Sequence, residues 1–162
     1  MKKLIKRIVI LSIIGFLISR CPVFSDSRTD LTINLDKSFP HQLKLARVTF
    51  GTDTFASMEQ LKPGDSYSIW LFPDDSGSHL DFFLDKGRLR YCWDSDDSDL
   101  FKKSFTHKYF LPHHRYKIII DIKSDFNLNI KVYLRKGLFS KRLLLQGKDK
   151  IQNKWIKESL DS

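Results

Sequence analysis

Tyr116-Lys117-Ile118-Ile119-Ile120-Asp121-Ile122, followed after a five-residue break by Leu128-Asn129-Ile130-Lys131-Val132-Tyr133-Leu134, carries the clearest structural signal in the chain. Both runs are rich in β-branched and aromatic residues, which suit a pleated, half-buried surface. Lys123-Ser124-Asp125-Phe126-Asn127 between them supplies the polar residues of a tight connection. The pair is predicted to form antiparallel neighbouring strands at the centre of the core.

Outward from this pair the same period of two recurs. Leu31, Ile33 and Leu35 alternate, as do Leu43 and Leu45 and then Ala46, Val48 and Phe50; the phase change at Leu45-Ala46 predicts a bulge. Phe55 to Leu61 is a weaker segment. Lys62-Pro63-Gly64-Asp65 has Pro and Gly where a turn needs them, and Ser66 to Phe72 follows as a strand. Pro73 to Ser78 reads as a loop. Leu80, Phe82 and Leu84, then Leu89, Tyr91 and Trp93 across Asp85-Lys86-Gly87, make the best local hairpin of the first half. A long connection runs from Asp94 to about Pro112. After the central pair, Leu138 to Leu145 predicts an edge strand guarded by Lys141 and Arg142. Ile151, Trp155, Ile156 and Leu160 fall close to one face of a short C-terminal helix that Asp149 would cap. The fold expected is mainly β: a single antiparallel β-sandwich of about seven or eight strands, with a hydrophobic helix before it.

That hydrophobic helix occupies the first twenty-five residues. Lys2, Lys3, Lys6 and Arg7 precede the uncharged run Ile8 to Ser19, which Arg20, Cys21 and Pro22 end. Such a layout is that of an export signal. The run is short against the roughly 18 residues of a spanning helix, which favours cleavage; Val23 and Ser25 are small enough for a cut before Asp26. If Arg20 snorkels to the interface, the segment is instead a retained anchor with its basic end in the cytoplasm. Acylation of Cys21 is disfavoured by Arg20, which stands where lipoprotein signals resemble one another in having Gly or Ala. All three readings place residues 26–162 outside the cytoplasmic membrane, as one exported, periplasmic domain.

Composition fits one core. The chain holds 13 Phe, 5 Tyr and 3 Trp, which supply bulky filling. With two cysteines there is no disulfide framework, and Cys92, inside Tyr91-Cys92-Trp93, reads as a buried structural thiol. Charge is uneven: from Asp26 to Asp99 there are 8 Lys plus Arg against 14 Asp plus Glu, and from Leu100 to Ser162 there are 15 against 5. Such a gradient steers a partner of opposite sign.

One likeness rests on these residues. A strand, the Leu61-Lys62-Pro63-Gly64-Asp65-Ser66 turn, a strand, a hairpin and an aromatic-rich segment leading into Tyr116 to Ile122 together resemble small, N-terminally anchored, exported bacterial β-domain proteins. The resemblance covers residues 43–134 and implies location and fold. It carries no catalytic residues, and the acidic insertion after Trp93 departs from it.

Candidate chemistry is sparse. Asp94, Asp96, Asp97 and Asp99 could surround calcium, which takes roughly six to eight oxygens, but Asp99 falls where an EF-hand loop has Gly and Phe105 where it has Glu. A solvated acidic loop is the simpler expectation. His107, His113 and His114 cluster, although adjacent His113 and His114 point to opposite sides of an extended chain. No nucleophile elbow, zinc-protease helix or phosphate loop is present, so no enzyme and no cofactor is expected. The basic tail interleaves cations with apolar residues. Export argues against nucleic acid as its partner; an anionic lipid surface or an acidic protein suits it better. The expected contacts are Lys136, Lys141, Arg142, Lys148 and Lys150, with the acidic loop as a second surface. The function expected is binding of another protein at the cell envelope, as an immunity or exclusion protein does. A small component of an envelope or secretion assembly comes next, and a cell-wall enzyme third.

Overall fold

A computed structural model describes residues 9, 10, 12, 28–56, 59–72, 79–104, 110, 114–136 and 140–155. The first twenty-five residues and Asp26, expected as an export signal or anchor with Cys21, Ser25 and Asp26 at its end, lie outside this set except at Val9, Ile10 and Ser12, which are helical and exposed. Among the described residues no helix is long and apolar enough to cross a membrane.

Alternation in sequence becomes alternation in burial. In β1 (Thr29–Leu35), β2 (Leu43–Phe50) and β8 (Arg115–Ile122) apolar side chains at every second position are buried, with a phase shift in β2. That shift is the bulge expected at Leu45-Ala46, where the ladder with β6 (Leu80–Lys86) slips between Leu45 and Arg47. Further strands are β3 (Asp53–Ala56), β4 (Gln60–Leu61), β5 (Ser66–Leu71), β7 (Leu89–Asp94), β9 (Asn127–Lys136), β10 (Ser140–Lys150) and β11 (Gln152–Trp155). One short helix, α1 (Asp99–Ser104), follows β7.

The chain is mainly β, in two sheets. The five-stranded sheet has the order β10-β9-β8-β1-β5, and the six-stranded sheet runs β11-β7-β6-β2-β3 with β4 beside β2. The β8–β9 pair is antiparallel as expected, and so is the β6–β7 hairpin. One ladder corrects an all-antiparallel reading: β1 lies parallel to β8, with Ile33 beside Ile120. The inward pleats of both sheets feed one hydrophobic cluster that includes Leu31, Ile33, Ile120 and Val132 from one sheet and Val48, Phe82, Leu84 and Trp93 from the other.

Aromatics tie the ends of the sheets together. Phe126, in the β8–β9 connection, sits at φ 61, a conformation unfavourable for a side chain with a Cβ. Its ring stacks on Tyr91 at 4.2 Å and meets Phe39 edge-on at 4.9 Å, contacts that offset the backbone cost. The long connection after β7 is more than a solvated loop. Phe101 of α1 and Phe110 are both fully buried, with Phe110 against Phe50 at 5.1 Å and Tyr116 at 5.2 Å.

The C-terminal expectation is corrected. Gln152 to Trp155 form β11, paired antiparallel with β7 from Cys92 to Leu89, and residues 156–162 lie outside the described set. A helix this short is marginal on its own, whereas the open edge of β7 offers a partner for each backbone group. Asp149 lies within β10 instead of at a helix start: its Oδ2 accepts a hydrogen bond from Trp93 Nε1 at 2.9 Å, joining β10 to the opposite sheet.

Candidate functional site: a cationic sheet face

Because β8 and β9 bury Tyr116, Ile118, Ile120, Leu128, Ile130 and Val132, the intervening residues must point away from the core. These are Arg115, Lys117, Ile119 and Asp121 on β8 and Asn129, Lys131, Tyr133 and Arg135 on β9. Ladder register then aligns them. Arg115 stands opposite Arg135, and Arg135 opposite Lys141 of β10. Three cations therefore share one cross-strand row, where like charges repel.

Counter-charge on this row is thin. Asp30 Oδ2 lies 2.7 Å from Arg135 Nη2, reaching across β8 from β1. Lys141 Nζ rests 4.9 Å over the Tyr133 ring, and Arg28 Cζ lies 4.5 Å over Trp70 on β5. The Nε of Arg115 is buried and has no hydrogen-bond partner among the described residues. A buried donor left unpaired costs about 1 to 3 kcal/mol. Exposed Trp70, Phe72 and Leu143 add apolar area around the cations. Farther along the face Asp121, Lys131, Gln146 and Lys148 border a shallow hollow of about 410 Å³.

The expected contact residues divide over this geometry. Lys141 and Lys148 lie on the outward face, opposite Arg135 and Asn129. Lys150, opposite Asn127, stands at the end of β10 and also borders a cleft on the other sheet. Arg142 is exposed but pairs with Leu134, on the other pleat. Lys136 pairs with Ser140 through the backbone, and its side chain lies outside the described part. Arg115, Lys117, Lys131 and Arg135 were not among the expected contacts. Their signal was parity within the two central strands.

The acidic loop sits against the six-stranded sheet. Ser95 and Ser98 are buried: Ser95 Oγ accepts the Leu80 amide at 2.9 Å, and Ser98 Oγ accepts that of Phe101 at 3.4 Å, at the start of α1. Asp96, Asp97 and Asp99 are exposed between these anchors, and Asp94 Oδ1 accepts the Asp96 amide at 2.8 Å. Among the described residues no three His, Cys, Asp or Glu side chains are grouped to hold a metal ion. His107 and His113 lie outside the described residues, and His114 is exposed. A cleft of about 190 Å³ beside the loop is lined by Arg47, Asp81, Phe83, Cys92, Asp94 and Asp97, among others. Asp81 faces Asp94 across the β6–β7 ladder. Burial, and secondarily that neighbouring carboxylate, push the Asp81 carboxyl above its ordinary value. Arg47 at 3.9 Å and His79 at 3.6 Å work against this shift. Cys92, free and buried, stands between Phe83 and Gln152 in the ladders.

Fold and face together define a mainly β domain with one strongly cationic sheet surface. No protein-family model, curated protein or solved structure matches the chain.

Proposed function

We propose that this protein is an exported, non-enzymatic β-sandwich of the cell envelope that binds an acidic partner protein through the outward face of its five-stranded sheet. The Arg115–Arg135–Lys141 row carries the reading, because it places three cations side by side with Asp30 as the carboxylate in contact. Self-repulsion on this face is relieved when an anionic surface arrives, and steering toward such a surface speeds encounter. The basic cluster and apolar dozen at the start of the chain support export. Protective recognition, as by a periplasmic immunity or exclusion protein, fits a small binder that works through a charged surface. A structural or accessory role in an envelope or secretion assembly is the second reading, favoured by exposed Trp70 and Phe72 beside the cations.

Capture from envelope extracts on the immobilised full chain, alongside an Arg115→Glu/Arg135→Glu double variant, separates these. Immunity predicts one soluble acidic protein, retained at low salt by the wild type and lost with the variant. An assembly role predicts membrane-embedded partners. Retention of the same protein by both forms would exclude the face as its site.

A further inference from the structure

The two edges of the five-stranded sheet are built differently. β10 forms one edge and carries Lys141, Arg142, Lys148 and Lys150, with a register shift between Leu143 and Leu145. Charges and bulges of this kind keep an edge from pairing with other chains. The opposite edge has none of them. β5 and the residue after it read Ser66-Tyr67-Ser68-Ile69-Trp70-Leu71-Phe72, without charge, proline or glycine. Its ladder with β1 runs from Leu71 to Ser66 without a shift, and among the described residues no strand lies on its other side. Trp70 is 61% and Phe72 50% exposed. In the six-stranded sheet the outer strands β3 and β11 have four residues each, too short to offer a comparable template.

An open edge presents a row of amide and carbonyl groups that only another strand satisfies in register. Its outward pleat is also self-complementary in size. In an antiparallel pairing centred on Ser68, Trp70 of each copy stands opposite Ser66 of the other, a large side chain over a small one. Both serines are held toward their own sheet: Ser66 Oγ donates to Asn34 Oδ1 at 2.6 Å, and Ser68 Oγ lies 3.2 Å from Thr32 Oγ1. No like charges within β5 would meet, whereas β10 against β10 would set Lys141, Arg142 and Lys148 against one another. We infer that β5 pairs antiparallel with β5 of a second copy about a two-fold axis near Ser68, joining two five-stranded sheets into one and making their cationic faces continuous.

The test uses the full chain in detergent micelles. Sedimentation velocity should show a concentration-dependent dimer that Ser68→Lys abolishes while circular dichroism stays that of the wild type. Trp70→Lys, at an exposed position, serves as second variant should the first not fold. Antiparallel partners stand about 4.5 or 5.5 Å apart at Cα, within the range of a disulfide. In a Cys21→Ser background, Ser68→Cys should therefore oxidise to a covalent dimer, and Lys148→Cys on the opposite edge should not. A chain that stays monomeric, a dimer untouched by either lysine variant, or equal cross-linking at both positions would overturn the pairing.

Discussion

On the outward face of the six-stranded sheet, carboxylates and cations are matched within the fold. Asp85 takes two hydrogen bonds from Arg90, at 2.8 and 3.0 Å, and Asp81 has Arg47 and His79 near it. Arg47 also lies 4.2 Å over the Phe83 ring. On the outward face of the five-stranded sheet, by contrast, Arg115, Arg135 and Lys141 line up, and Asp30 meets Arg135. One face settles its charge internally, and the other carries an excess of cations among the described residues. The contrast follows from chain order. β8, β9 and β10 come consecutively from the basic half and form neighbouring strands, while most of the six-stranded sheet comes from the acidic half.

The comparison breaks most severely if the two sheets do not share one core. Phe82→Ala, from the six-stranded sheet, should cost about 3 to 5 kcal/mol, and Ile120→Ala, from the other, about 2 to 5 kcal/mol. Urea unfolding should remain a single transition in both, reported alike by fluorescence and far-ultraviolet circular dichroism. Separate transitions would mean that each face belongs to its own folding unit.

Next in size is the link from β10 to the opposite sheet. Trp93→Phe removes the donor to the part-buried Asp149 carboxylate and should cost about 1.5 to 3 kcal/mol in the same urea measurement. An unchanged midpoint would show that this bond does not hold the sheets together.

Charge reversal sharpens the contrast between the faces. Arg135→Glu should slow association with the captured acidic partner by about tenfold at low salt, and the difference should shrink as salt rises. Arg47→Glu, on the internally matched face, should leave the association rate unchanged. Equal slowing by both variants, followed by stopped-flow fluorescence, would mean that net charge rather than the row does the steering.

The smallest effects are in acid. Asp36 accepts a bond from Lys123 Nζ at 2.7 Å and two from Ser38, and these hold its carboxyl below the usual range. A lowered carboxylate stabilises the fold above its ordinary value of 3.8 and loses that contribution as pH falls below it. Asp36→Asn should therefore be less stable than wild type at neutral pH, with the gap closing below about pH 4. Asp81 has the opposite sign, since burial raises it. The folded state then holds the proton more tightly than the unfolded one, and stability falls as pH climbs past the ordinary value. Asp81→Asn should be more stable than wild type at neutral pH, and the advantage should vanish in acid. Melting curves from pH 3 to 7 give both signs.

Much of this was legible along the chain. The central pair, the Leu80–Trp93 hairpin and the bulge near Leu45 all appeared as alternation or its interruption, because a strand repeats every two residues whatever lies beside it. Lys141 was expected on an edge strand, and both Lys141 and Lys148 among the contacts of the basic tail. Arg115, Lys117 and Lys131 were missed because they sit inside strands that were read for their isoleucines. The burial of Ser95, Ser98 and Phe101 was hidden by the aspartates beside them. At Ile151 to Trp155 a helical spacing was overruled by the open edge of β7.

The sequence by itself determined which side chains of the alternating strands turn inward and which half is basic, since local period and composition decide these without reference to distant residues. Only the tertiary structure decided that β1 lies parallel beside β8, that residues 152–155 close a sheet, and that Arg115, Arg135 and Lys141 share one row. Those outcomes depend on which strands become neighbours, and that choice is made when two sheets bury their apolar faces in a common core rather than by any pattern within a single strand.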